Sequence, residues 1–249
     1  MRALLCLFLV AGACVVAAQD TEWRVPFIST PDEVVERMLA FAGTRADDYV
    51  VDLGSGDGRI VITAARRYGA RGLGIELDEA LVRSARDNAQ RAGVADRASF
   101  IQGDVLTADF SAASVVTVYL LPDLIGRLQP RFLSDLKPGT RIVSHAFRMT
   151  GWRPDASESL RVAGAHPGQG DVSTLYLWIV PAEVRGTWSG AGMRVRIEQN
   201  YQEIDVAGAT EATLRGSDIR WRSPAGSFHG RVQGEHIVSD DGRELTRER

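Results

Sequence analysis

The chain has 249 residues, with 29 Lys and Arg against 32 Asp and Glu and a formal net charge of −3. That length holds one full α/β domain and a small extra piece. The charge argues against general attraction to nucleic acid, so none is expected among the partners.

Met1-Arg2 is followed by an apolar run from Ala3 to Ala18 and then Gln19-Asp20. The run falls short of the ~20 residues that span a bilayer, and its small-residue end fits a secretory signal peptide. Residues 1–18 are therefore read as an export signal, cut after Val16-Ala17-Ala18, and the periplasm as the destination. The alternatives are an uncleaved membrane anchor and lipidation of Cys14 within Ala11-Gly12-Ala13-Cys14. Cys6 and Cys14 both lie in this segment, so a processed chain has no thiol, disulfide or cysteine metal site. His145, His166, His229 and His236 show no H-x-x-x-H spacing, and no metal is expected.

Thr30-Pro31-Asp32-Glu33 predicts a helix start, with Thr30 as cap, Pro31 in the first turn and Glu33 completing a capping box. Val34, Val35, Met38, Leu39 and Phe41 then form an apolar stripe. Val50 and Val51 finish a buried strand with Asp52 at its carboxyl end. Gly54, Gly56 and Gly58 follow at alternate positions, allowing a sharp turn and close backbone approach to a bound molecule. Ile60 to Ala65 continues as an apolar helical stretch, giving the strand–glycine loop–helix unit of a nucleotide-binding sheet.

Arg71 to Glu76 predicts the second strand, and Glu76 falls 24 residues after Asp52. A carboxylate there can accept both ribose hydroxyls of a nucleoside. A helix over Ala80–Ala92 follows, ending near Gly93. The third strand, Ala98 to Gln102, ends in Gly103-Asp104. Asp52, Glu76 and Asp104 would then share the carboxyl edge of one parallel sheet, where open α/β folds bind ligands. Ser114 to Leu121 is strongly apolar and is placed near the middle of the sheet. Leu136 to Thr140 turns into a strand over Arg141–Ser144, and Thr174 to Val180 closes the domain before Pro181. Alternating strands and helices imply a mostly parallel sheet with helices on both faces, assigned to residues 19–182.

Residues 183–249 differ in character. Met193 to Glu198 alternates apolar and polar residues, as a strand with one wet face does. Short runs follow at Tyr201–Val206, Ala212–Leu214, Ile219–Trp221, Phe228–Val232 and His236–Val238, divided by Gly-rich turns. They predict a small antiparallel β-rich domain of about 65 residues that packs on the first domain or on a second subunit. Arg194, Arg196, Arg220, Arg222 and Arg231 mark either a basic face for acidic proteins or lipid headgroups, or a solvated strand face.

The spacing Asp52-x-Gly54-x-Gly56-x-Gly58 resembles motif I of the class I S-adenosylmethionine-dependent methyltransferases. The dinucleotide fingerprint fits less well. Read from Gly54, its third glycine position is Arg59, too bulky for close helix–strand packing, and Asp52 would face a pyrophosphate. The stretches Pro26–Pro31, Val34–Leu39, Asp52–Ile62, Val115–Pro122 and Leu136–His145 look like one branch of that family. The branch includes mitochondrial protein-lysine methyltransferases acting on the adenine nucleotide translocase and the ATP synthase c subunit, together with bacterial relatives. The likeness covers residues 24–181 and not the β-rich tail.

The resemblance implies a Rossmann-like fold with S-adenosylmethionine as cofactor. It also implies that Asp104 faces the adenine amino group, beside cofactor contacts from Asp52, Gly54, Ser55, Gly56, Gly58 and Glu76. Tyr119, where such folds place their substrate-facing motif, would accept a hydrogen bond from the acceptor amine or pack on the methyl group, and Pro122 would shape the same loop. Asp123 and His145 are read as proton acceptors or as a helix cap and a satisfied polar group, and Asp57 and Arg59 as organisers of the glycine loop. Two functions remain open. One is a methyltransferase acting on a lysine amine of a protein, including a membrane-associated one, or on a small amine. The other is an exported nucleoside-binding or interaction module without methyl transfer.

Overall fold

The computed structural model describes residues 28–166 and 170–248; the predicted export segment, with Cys6 and Cys14, lies outside them. Helix α1 (Asp32–Phe41) buries Val34, Val35, Met38 and Leu39, the stripe read from the sequence. The expected capping box does not form. Pro31 is the cap residue and makes no side-chain cap hydrogen bond. The Thr30 hydroxyl lies instead 3.4 Å from Nδ1 of His145, and Glu33 accepts a hydrogen bond from the Ala163 N–H at 2.7 Å. Tertiary partners have taken both capping side chains.

Strand β1 (Tyr49–Leu53) leads into α2 (Arg59–Thr63), which passes directly into a π-helical turn (Ala64–Tyr68). Then come β2 (Arg71–Glu76), α3 (Glu79–Arg91), β3 (Ala98–Gln102), β4 (Val115–Val118), α4 (Pro122–Ser134) and β5 (Arg141–His145). Strands β6 (Ala156–His166) and β7 (Gly170–Ile179) form an antiparallel hairpin that joins the sheet through β5. The sheet order is β3-β2-β1-β4-β5-β7-β6, with β1 to β5 parallel.

The apolar β4 is central in this order and wholly buried. It is shorter than the 114–121 expected, because Tyr119-Leu120-Leu121 form the connection to α4, which opens at Pro122. On one face α1 and α2 pack on Val50, Val115 and Val143, with α3 beside them over Phe100. On the other, Ile125, Leu128 and Phe132 of α4 pack on Val116, Val118 and Ile142. Fully burying each such aliphatic or aromatic side chain stabilises the fold by ~1.5–3 kcal/mol.

The tail comprises β8 (Gly186–Gly190), β9 (Met193–Asn200), β10 (Glu203–Val206), β11 (Glu211–Arg215), β12 (Asp218–Ser223), β13 (Gly226–Gln233), β14 (His236–Ser239) and β15 (Glu244–Arg247). They pair antiparallel in the order β10-β9-β8-β15-β14-β13-β12-β11. The first and last strands, β8 and β15, are thus hydrogen-bonded to each other, while the two edge strands β10 and β11 lie side by side. The sheet is curled into a barrel with one seam, filled by Trp188, Ile197, Ile219, Trp221, Ile237 and Leu245. Of the outward arginines, Arg194, Arg196, Arg220 and Arg222 pair with Glu248, Glu198, Asp218 and Glu211. This is the solvated strand face, with its charge largely balanced locally.

The barrel packs on the first domain through the β9–β10 turn. Tyr201, at φ +56°, stacks on Trp152 with ring centroids 5.2 Å apart and planes within 5°. Its hydroxyl accepts a hydrogen bond from Gln129 Nε2 of α4 at 3.0 Å, and Trp152 Nε1 donates to Gln202 Oε1 at 2.8 Å. Among the described residues no helix is long and apolar enough to cross a membrane.

Candidate functional site

The parallel strands end together at one edge, and the glycine loop after β1 begins the site. Gly54, Gly56 and Gly58 have φ of +82°, +51° and +82°, the left-handed region that side chains disfavour. At Gly58 a Cβ would also lie 2.6 Å from Cζ of Phe100. The loop is fastened to β2 by its own backbone: Gly54 and Ser55 N–H donate to the Ile75 carbonyl at 2.9 and 3.0 Å. Behind it, Arg59 grips Asp57 with Nε to Oδ1 at 3.0 Å and Nη2 to Oδ2 at 2.7 Å, and its Nη1 donates to the Thr30 carbonyl at 2.8 Å. Asp57 and Arg59 therefore do organise the loop, and they tie it to the start of α1.

Glu76 ends β2 beside this loop. Its Oε2 accepts the Gly56 N–H at 2.9 Å and its Oε1 the Asp78 N–H at 3.0 Å. Each oxygen keeps a further lone pair, so the carboxylate is oriented yet still able to accept two hydroxyls. Asp104, after β3, is exposed at the same edge and accepts the Leu106 N–H through Oδ1 at 2.8 Å. The Ser55 hydroxyl is buried against β2, where a Cβ on Gly74 would come within 2.5 Å of it, and it has no hydrogen-bond partner among the described residues.

Asp52 is only 3% exposed. Its register partner on β4 is Thr117, whose hydroxyl donates to Oδ1 at 2.7 Å. Burial pushes the Asp52 carboxyl up to about 7, against the pull of the Thr117 hydrogen bond and with added repulsion from Glu76 and Asp57. The site thus holds one buried acid poised near neutrality beside a solvent-reachable one.

Beyond β4 the site is aromatic. Tyr119 is half-buried, with its ring 4.2 Å from His145 and 6.2 Å from Phe147. His145 is fully buried at the end of β5, with Nδ1 at the Thr30 hydroxyl and Nε2 3.1 Å from the Ser173 hydroxyl. Of the two readings of His145, the structure favours the satisfied polar group: it ties the lead into α1 to β5 and β7. The next residue, Ala146, has φ +70°, a strained value for a residue with a Cβ. Pro122 and Asp123 are exposed in the first turn of α4, where an acid suits the helix dipole.

Sequence reasoning missed Thr117, Phe147 and Ser173. Only Thr117 carries a local signal, a lone hydroxyl in the buried run Val115–Val118. Among the described residues no group of His, Cys, Asp and Glu is arranged to hold a metal ion.

Residues 52–156 match the ANTKMT methyltransferase domain family. The chain is 41% identical over 158 residues to a protein-lysine N-methyltransferase of Saccharolobus islandicus (strain REY15A), covering 63% of this chain and 94% of that protein. It is 35% identical over 134 residues to the adenine nucleotide translocase lysine N-methyltransferase of Mus musculus, covering 53% of this chain and 58% of that protein. It therefore spans nearly all of the archaeal relative and little more than half of the mouse one. Among solved structures, an RNA methyltransferase from Salinibacter ruber in complex with S-adenosyl-L-homocysteine is 50% identical, with a TM-score of 0.58 over 63% of this chain and 96% of that one. A product-bound neighbour at that identity fixes the cofactor as S-adenosylmethionine. On the strength of the archaeal relative, matched over almost its whole length, the chain belongs to this family of S-adenosylmethionine-dependent methyltransferases.

Proposed function

We propose that the enzyme transfers the methyl group to a lysine amine of a protein. The residues at the sheet edge fit the cofactor part by part. The free lone pairs of Glu76 suit the two ribose hydroxyls, and Asp104 has an oxygen beyond its local turn for the adenine amino group. Asp52 offers a buried acid to the positively charged cofactor, and Gly54, Gly56 and Gly58 keep the loop free of Cβ atoms. Ser55 is assigned a backbone role only.

When bound, the cofactor supplies an electrophilic methyl on a sulfonium. The protein's share of the work is alignment and exclusion of water, which suffices for an in-line displacement. Tyr119 follows β4 in the connection to α4, with its ring against His145 and Phe147, and its ring and hydroxyl would orient a neutral amine. Pro122 would hold the turn that carries Tyr119.

The observation that favours protein over RNA as acceptor is the rim. The exposed charges directly following β2, β3 and β4 are acids: Asp78 and Glu79, Asp104, and Asp123. Between them stand the exposed apolar residues Leu77 and Leu121, with Val172 on the adjoining hairpin. Arg148, after β5, lies over the Tyr176 ring. A phosphate backbone needs rows of cations, and this rim would repel it. A cationic side chain on a protein surface is attracted instead.

The test offers labelled S-adenosylmethionine with a lysine-rich protein, a structured RNA and free lysine. Label on protein lysine, with kcat reduced more than KM changes in Tyr119→Phe, is the expected result. Label in RNA alone would overturn the proposal, and label on free lysine alone would make the acceptor a small amine. Within the same proposal residues 1–18 act as an export signal cut after Ala18; N-terminal sequencing of the protein from fractionated cells checks it, and an intact cytoplasmic chain refutes it.

A further inference from the structure

We infer that Asp52, positioned by Thr117, reads the charge of the cofactor: it stays ionised against the sulfonium and takes up a proton once methyl transfer leaves a neutral thioether, which loosens the product. The inference rests on the reading of Asp52 as a cofactor-site residue. S-Adenosylmethionine carries a net charge of about +1 and S-adenosylhomocysteine about zero, so a buried carboxylate distinguishes them by Coulomb attraction alone. The proton that Asp52 gains comes from solvent after transfer and returns there when the next cofactor binds.

The geometry leaves Asp52 few other ways to hold a charge. Its hydrogen bond comes from the neutral hydroxyl of Thr117 at 2.7 Å. The ionisable groups acting on it are Glu76 from β2 and Asp57 from the glycine loop, both repulsive. Arg59, the arginine of that loop, is turned away to Asp57 and the Thr30 carbonyl. A carboxylate so placed needs a cationic ligand to remain ionised, and the ligand that supplies most positive charge is favoured. Thr117 is thus a positioning residue: its donated hydrogen bond fixes the carboxyl and partly offsets its burial.

The test titrates the affinities of S-adenosylmethionine and S-adenosylhomocysteine by calorimetry from pH 6 to pH 8, each in two buffers of different ionisation enthalpy. A carboxyl that titrates near 7 goes from mostly ionised to mostly neutral as pH falls over that range, which weakens S-adenosylmethionine binding about tenfold at the acid end. S-Adenosylhomocysteine should weaken less, so the preference for the cofactor over the product falls several-fold as pH falls. Proton release should accompany cofactor binding near neutrality and be smaller for the product. Asp52→Asn corrects for titration of the ligand's own amine, and in it the preference should be flat with pH. Thr117→Val, which keeps the carboxyl but removes its donor, should shift the fall in preference to higher pH.

A wild-type preference that matches Asp52→Asn at every pH overturns the inference, as does a Thr117→Val curve superimposable on wild type. Failure of either ligand to bind the wild-type protein would instead sink the cofactor-site reading beneath it.

Discussion

The buried acid at the end of β1 makes a stability prediction that needs no ligand. The Asp52 carboxyl is raised from its ordinary value to about 7, first by burial. A group whose folded value is raised favours folding fully below its unfolded value, and that contribution is lost as pH rises through the folded value. Moving a carboxyl from near 4 to about 7 corresponds to ~4 kcal/mol, incurred progressively between pH 4 and pH 7. Between pH 5 and pH 8 the share is ~2–3 kcal/mol, a large fraction of the stability of an ordinary domain. Asp52→Asn keeps an oxygen for the Thr117 hydroxyl but cannot ionise. Urea denaturation of the cofactor-free proteins at the two pH values should therefore show the variant gaining on wild type by ~2–3 kcal/mol at the alkaline one. A wild-type-to-variant difference that is equal at pH 5 and pH 8 would refute the argument, because it would mean Asp52 is not held neutral by its surroundings.

Glu76→Ala removes the acceptor for two backbone N–H groups as well as the predicted ribose contacts, and two hydrogen bonds to a charged group at ~1.5–3 kcal/mol each imply at least a hundredfold weaker cofactor binding. Calorimetry reads this directly, and retained affinity would move the ribose elsewhere. Gly58→Ala combines a left-handed backbone with a collision against the Phe100 ring and should cost ~2–4 kcal/mol in chemical denaturation; a loss below ~1 kcal/mol would show that the loop can relax. Tyr201→Ala removes the Trp152 stack and the Gln129 hydrogen bond. It should destabilise by ~2–3 kcal/mol and split scanning-calorimetric unfolding into two transitions, one for each sheet. A single transition at the wild-type temperature would mean the two parts are held together by other contacts.

What could be read in advance was local in the chain. The acid–glycine loop, Glu76 and Asp104 each lie at or just past the end of a strand, so the parallel order alone brings them to one edge. The aromatic half of the site is different. His145 acquires its role from Thr30, 115 residues earlier, and Ser173, 28 residues later, and no spacing rule links the three. The same long-range competition removed the capping box, since Thr30 and Glu33 had better partners in β5 and β6 than in their own helix. Helix α4 is obscured for a local reason: Gly126 and Pro130 both interrupt its apolar period, yet Ile125, Leu128 and Phe132 still bury a continuous face.

The barrel shows how closure can hide in sequence. Its meander strands announce themselves by alternation, but β8 contributes one buried apolar side chain, Trp188, and β15 one, Leu245. Neither has a period to detect, and each is stabilised by pairing with the other. That pairing brings the last strand back beside the first, so the domain begins and finishes near Val184, just beyond β7. Since β7 runs antiparallel to β5, with Ile179 opposite Arg141, the chain leaves the first sheet at the amino edge of the parallel strands. The Ala182 N–H bonds the Gly216 carbonyl there, close to Gly139 in the turn before β5. The barrel therefore hangs from the edge opposite Glu76, Asp104 and Tyr119. The acidic and apolar rim lies away from the barrel's attachment.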